Sequence, residues 1–134
     1  MYTLEFPQRY PYESSHGISV PIRLRLGAKD VGLLAKIDTG AEYCIFEKAY
    51  GVQLGLVIES GEAKQFGTAS GGSFRAFGHQ MTMEVLGCSF DGIVYFAEDV
   101  GFSRNVLGRN GWLNKCRVAI VDHDQLLYLG EYDQ

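Results

Sequence analysis

The chain has little of what usually staples or anchors a protein. Its three cysteines, Cys44, Cys88 and Cys116, are spread over 134 residues with no CxxC spacing. An odd number at such distances makes neither a disulfide framework nor a zinc cluster, and it fits reduced, buried, apolar side chains. No apolar run approaches the length of a bilayer crossing, since stretches such as 93–97 and 118–121 are strand-sized. The first residues are polar and lack the apolar core of a signal peptide, so a soluble cytoplasmic protein is expected, with no membrane partner. Positive charge is also scarce, with 12 Lys and Arg against 16 Asp and Glu, a net charge of −4 and no basic cluster. Without several cations on one face there is no counterion release to drive binding to a phosphate backbone, so nucleic acid is not an expected partner.

Glycine and short apolar alternations are what the sequence does have. There are 17 glycines, and 46% of residues are hydrophobic. At this length two separate cores would each be too small, so a single domain is expected, burying roughly two-thirds of its unfolded surface. Residues 1–17 are aromatic and polar, with Pro7 and Pro11, and read as an extended arm covering a strand edge or an interface. The domain proper is expected over 18–134. In 18–26 the residues Ile18, Val20, Ile22, Leu24 and Leu26 share one face, which predicts a half-buried strand with Pro21 where no ladder bond is needed.

Further strands are predicted over 31–37, 43–46, 80–86 and 89–98, with a bend or bulge at Asp91-Gly92, and over 117–121 and 125–129 as a closing hairpin. A helix of two or three turns is expected within 47–56, limited by Gly51 and Gly55, and a shorter one at 111–115. The Gly- and Ser-rich segment 61–78 predicts a hairpin with its tip at Ser70-Gly71-Gly72. The sum is a mainly β chain closing into a barrel or sandwich, with one or two short helices.

One segment carries chemistry. In 33–41 an acid, Asp38, ends an apolar strand and is followed by Thr39, Gly40 and Ala41, small residues that allow a tight turn and the close approach of another backbone. Such a tripeptide alone is a weak signal, because Asp and Gly are common at any strand-to-turn junction. Weaker candidates lie elsewhere. Asp122-His123-Asp124 could hold a metal, but adjacent hairpin residues point apart. Cys44 with His79 could make a thiol nucleophile and base if the fold brought them together. Phe66, Phe74 and Phe77 could serve as specificity contacts or as ordinary packing.

The strand running into Asp38-Thr39-Gly40-Ala41 and on to Cys44-Ile45-Phe46, followed some seventy residues later by Val106-Leu107-Gly108-Arg109-Asn110, resembles the retropepsin-like aspartic proteases. A Gly-rich hairpin lies between the two, where that family has its flap. The resemblance spans most of 18–129 and departs at both ends, in the longer N-terminal arm and the added C-terminal hairpin. It implies a closed acid-protease barrel with one lobe per chain and a flap hairpin, and it implies Asp38 as the catalytic acid. Thr39, Gly40, Ala41, Glu42 and Arg109 would support the active-site loop, with Glu42 and Arg109 forming an ion pair, and Ser70, Gly71, Gly72 and Ser73 would bind substrate from the flap. No metal and no cofactor are implied.

Asp-Thr-Gly occurs once, so the second carboxylate is expected from another copy, in a homodimer. Two carboxylates placed about 3 Å apart cannot both ionise, and the shared proton lets one activate water while the other polarises a peptide carbonyl. The expected activity is that of an aspartic endopeptidase acting on an extended peptide or protein. The alternative from the same residues is a catalytically silent dimerisation or peptide-binding module of the same fold.

Overall fold

The computed structural model describes residues 1–133. The chain is mainly β: β1 (Gln8–Pro11), β2 (Ser19–Leu26), β3 (Lys29–Ile37), β4 (Ile45–Phe46), β5 (Glu62–Gly67), β6 (Ser73–Val85), β7 (Cys88–Ala97), β8 (Val106–Leu107), β9 (Cys116–Val121) and β10 (Leu126–Glu131). One helix, α1 (Lys48–Gln53), and short 3-10 turns at Ile58–Ser60, Leu113–Lys115 and Asp122–Asp124 complete the described residues. Among the described residues no helix is long and apolar enough to cross a membrane.

Period-two alternation decides the inner face of the first hairpin. Val20, Ile22 and Leu24 of β2 and Val31, Leu33, Ala35 and Ile37 of β3 are buried, while Arg23, Arg25, Leu34 and Lys36 between them point to solvent. The two strands pair antiparallel from Leu26↔Lys29 to Ser19↔Lys36. Pro21 stands one residue before the second pairing of β2, with β6, begins at Ile22, so its missing N–H falls where that ladder ends.

A seven-stranded sheet in the order β2-β3-β8-β4-β7-β6-β5 curls back on itself because β6 also pairs with β2. The 13 residues of β6 make this possible: the first part pairs with β5 and the last, 82–85, with β2. Sequence reading divides this strand in two, but one continuous strand serves both the hairpin and the ring. The ring encloses a core of Leu24, Phe46, Met83, Val85, Phe96, Leu107 and Trp112 among others. Asp91-Gly92 forms no bulge, since Thr82↔Asp91 and Met81↔Gly92 keep register and Thr82 Oγ1 donates to Asp91 Oδ1 at 2.6 Å.

The strand expected over 43–46 is reduced to the two residues of β4 and an isolated bridge, Tyr43↔Asn110. The helix is shorter than its expected 47–56 and has Gly51 inside it, where a Cβ would lie 2.4 Å from Ile58 Cδ1 and 3.1 Å from the Phe96 ring. That glycine costs helix propensity, and what it gains is close packing of α1 on the sheet.

The two ends of the chain make a separate three-stranded sheet, β1-β10-β9, with Gln8↔Leu129 to Pro11↔Leu126 on one side of β10 and the β9 hairpin on the other. The arm is therefore held along residues 8–11 by the chain's own C-terminal hairpin. Tyr12 is buried beside it and donates its hydroxyl to the Asp122 carboxylate. Burial first, and that carboxylate second, push the Tyr12 phenol up to about 12.

Candidate active site

Where β3 ends, its backbone is passed to β8. Lys36 N–H donates to Asn105 O at 2.9 Å and Asp38 N–H to Leu107 O at 3.0 Å. Beyond that point the chain folds into a tight loop, with Asp38 Oδ1 accepting from Gly40 N–H at 3.0 Å and Asp38 O from Ala41 N–H at 3.1 Å. This Asx-type turn fixes the carboxylate's direction with its own loop. Asp38 is partly exposed, and Thr39 and Gly40 are exposed.

The loop is then tied to the segment after β8. Arg109 N–H donates to Ala41 O at 2.9 Å and Asn110 N–H to Glu42 O at 2.8 Å. The Asn110 side-chain amide donates to the same Glu42 oxygen at 2.8 Å. Gly108 allows this approach: a Cβ there would lie 2.3 Å from Tyr43 O and 2.8 Å from Ala41 O, distances that no side chain tolerates. Beneath it Cys44 Sγ accepts from Gly108 N–H at 3.4 Å, and burial raises that thiol to about 11.

The expected ion pair between Glu42 and Arg109 does not form. Both side chains are exposed, and no bridge joins them among the described residues. The physical reason is that backbone bonds of these same residues already close the loop against the segment, leaving the side chains directed to solvent. Asn110, which the sequence reading named only as part of a motif, provides the side-chain tie. Its place two residues after Gly108 is the available signal.

Above the floor, β5 and β6 form the expected hairpin, paired from Glu62↔Gly78 to Gly67↔Ser73. Its tip is closed by Thr68 N–H to Gly72 O at 2.9 Å and Gly71 N–H to Thr68 O at 3.1 Å, with Gly71 at a φ of +89°. Ser70, Gly71, Gly72 and Ser73 are exposed at that tip. The hairpin residues that line the space next to Asp38 are Lys64, Gln65, Phe66, Gly67, Ala69 and Phe74, and none of the four tip residues lines it.

That space is a cavity of about 550 Å³ bordered by Asp38, Gly40, Ala41 and Glu42 below and by aromatic rings on the hairpin side. Phe66 stacks on Phe74 at 5.4 Å between centroids and meets Tyr43 edge-on at 5.9 Å. Lys64 lies 4.6 Å over the Tyr43 ring, and Tyr43 raises the Lys64 ammonium's pKa. Phe66 and Phe74 are thus cavity walls, while Phe77, on the other face of β6, is buried in the core.

A second cavity, of about 360 Å³, opens on the other side of Asp38 between the end of β3 and the residues before β8. Asp38 and Arg104 line both.

The thiol–imidazole and metal candidates of the sequence are not assembled into a site. Cys44 is buried under Gly108, and His79 Nε2 is engaged with Ile58 O at 2.8 Å. Asp122, His123 and Asp124 are exposed on a 3-10 turn, and no group of three potential metal ligands gathers among the described residues. No protein-family model and no curated protein matches the chain.

Proposed function

We propose that the chain is one half of a homodimeric aspartic endopeptidase of the retropepsin-like kind, its curled sheet being the acid-protease barrel and β5–β6 its flap. The observation that carries this reading is the position of Asp38. Its carboxylate stands at a strand end, oriented by Gly40 N–H, on a floor tied down by Gly108, Arg109 and Asn110, and open to a peptide-sized cavity under a hairpin.

In the pair, Asp38 of each chain meets the other across the symmetry axis. One proton shared by the two carboxyls leaves one oxygen to take a proton from water while the protonated partner polarises the scissile carbonyl. Water adds to the carbonyl carbon, the tetrahedral adduct forms, and the proton passes to the leaving nitrogen as the C–N bond breaks. Neither a covalent intermediate nor a cofactor takes part. The peptide lies extended between floor and hairpin, held through its main chain.

The test is hydrolysis of unfolded casein by concentrated protein across roughly pH 4 to 7, where a one-proton pair gives a bell-shaped profile. Asp38→Asn should abolish cleavage with the fold intact, pepstatin should inhibit, and a chelator should have no effect. Full activity in Asp38→Asn, or complete loss with a chelator, would overturn the reading. A folded, dimeric wild type without turnover would favour the silent binding module.

A further inference from the structure

The two cavities that meet at Asp38 differ in chemistry. The larger is walled by Tyr43, Phe66 and Phe74, and its lysine is already placed over the Tyr43 ring. The smaller is lined by His16 and Lys36, with Asp38 its single carboxylate, while Arg104 stands between the two and borders both. Neither Lys36 nor Arg104 has a carboxylate partner among the described residues. Asn105, which also lines this cavity, holds the nearby Glu47 by accepting its N–H at 3.0 Å and donating Nδ2 to its carboxylate at 2.7 Å. Gly17 leaves room for the Lys36 stem beside it, since a Cβ there would come 3.0 Å from Lys36 Cε. A chain of net charge −4 thus sets two cations without a carboxylate partner among the described residues, Lys36 and Arg104, beside its candidate catalytic acid, Arg104 lying 6.0 Å over the Phe102 ring.

An extended peptide presents successive side chains to opposite sides. As it passes Asp38, one side chain faces the aromatic cavity and its neighbour the cationic one. The geometry points to a substrate class: extended segments in which an acidic residue adjoins an aromatic or large aliphatic one, with Lys36 and Arg104 as the specificity-determining residues for the acid. This deepens the peptidase reading in naming its substrate, yet the binding preference itself does not require turnover.

The experiment uses two synthetic, fluorescently labelled decapeptides, identical in a Gly/Ser background except for a central Phe-Glu or Phe-Gln. Binding is measured by anisotropy on the uncleavable Asp38→Asn protein, and cleavage on the wild type. The Glu peptide should bind about tenfold more tightly at low salt, the size of one charge-assisted hydrogen bond, and the advantage should shrink at high salt. In Lys36→Met/Arg104→Gln, with melting temperature as the check on folding, the preference should fall to near unity. Phe66→Ala should weaken both peptides alike. Equal binding of the two peptides, no binding of either, or a preference that survives the double substitution would overturn the inference. A Glu preference lost in the double variant, with no cleavage by the wild type, would uphold it and overturn the peptidase reading instead.

Discussion

The floor that carries Asp38 and the hairpin facing it border one cavity but are held in opposite ways. The floor is tied to distant chain: residues 38–42 bond to residues 107–110, with Cys44 buried beneath. Among the described residues the hairpin tip is tied only to itself, through bonds between Thr68, Ser70, Gly71 and Gly72, and its residues are exposed. Under the proposed peptidase reading a carboxylate is held still while a polypeptide is admitted, and this division suits both. Long-range backbone bonds around a close approach give rigidity, whereas a two-stranded projection with local bonds opens at small cost.

The sharpest way to break the contrast is to put a methyl group on each side. Gly108→Ala would drive a Cβ into Tyr43 O and Ala41 O. It should cost about 3 kcal/mol or more, the upper range of overpacking, in chemical denaturation. Gly71→Ala meets nothing within 4 Å and strains only a positive φ, so about 1 kcal/mol is expected there. Equal costs would mean that the floor is no more constrained than the tip.

A second perturbation sharpens the comparison by acting on neither side. The Tyr12 phenol is raised from its ordinary value to about 12, so the fold favours its neutral form. The stability this contributes is whole below about pH 10 and is lost as the pH rises toward 12. Denaturation midpoints should fall across that window, and Tyr12→Phe should flatten the fall while leaving amide exchange at Asp38, Arg109 and Asn110 slow at neutral pH.

The smallest expected effect is at Arg109. Its backbone holds the floor, but its side chain is exposed and has no ion pair among the described residues. Arg109→Ala should therefore change the stability of the single chain by less than about 0.5 kcal/mol in the same denaturation assay.

Sequence reading reached the parts of this arrangement that depend on local pattern. Alternation marks β2, the apolar run 31–37 marks the strand that leads to Asp38, and Ser70-Gly71-Gly72 marks the hairpin tip through the conformational freedom of glycine. Non-local features were not legible. β8 is two residues long and gains its place from pairing with β3 and β4, which no period reveals. The run of β6 through Gly78 looked like a break because glycine usually ends strands, but here it makes room for Ile93 and Tyr95, whose atoms would lie 2.9 and 3.0 Å from a Cβ. The Glu42–Arg109 ion pair is what the family resemblance implies, while the bonds that join their segments are between peptide groups, identical for every residue type. The arm's partner was left open for a similar reason, since strand pairing with β10 reads the backbone and not the side chains.

The central claim is that each chain supplies one of two carboxylates to a shared site. The direct measurement is casein hydrolysis by a fixed amount of wild-type protein, mixed and re-equilibrated with increasing Asp38→Asn chain, with the dimer fraction followed by sedimentation on the same samples. If the site is shared, wild-type chains are drawn into mixed dimers, and a tenfold excess of the variant should cut activity roughly tenfold. Activity that stays constant as variant chain is added would show that one chain suffices and would contradict the account.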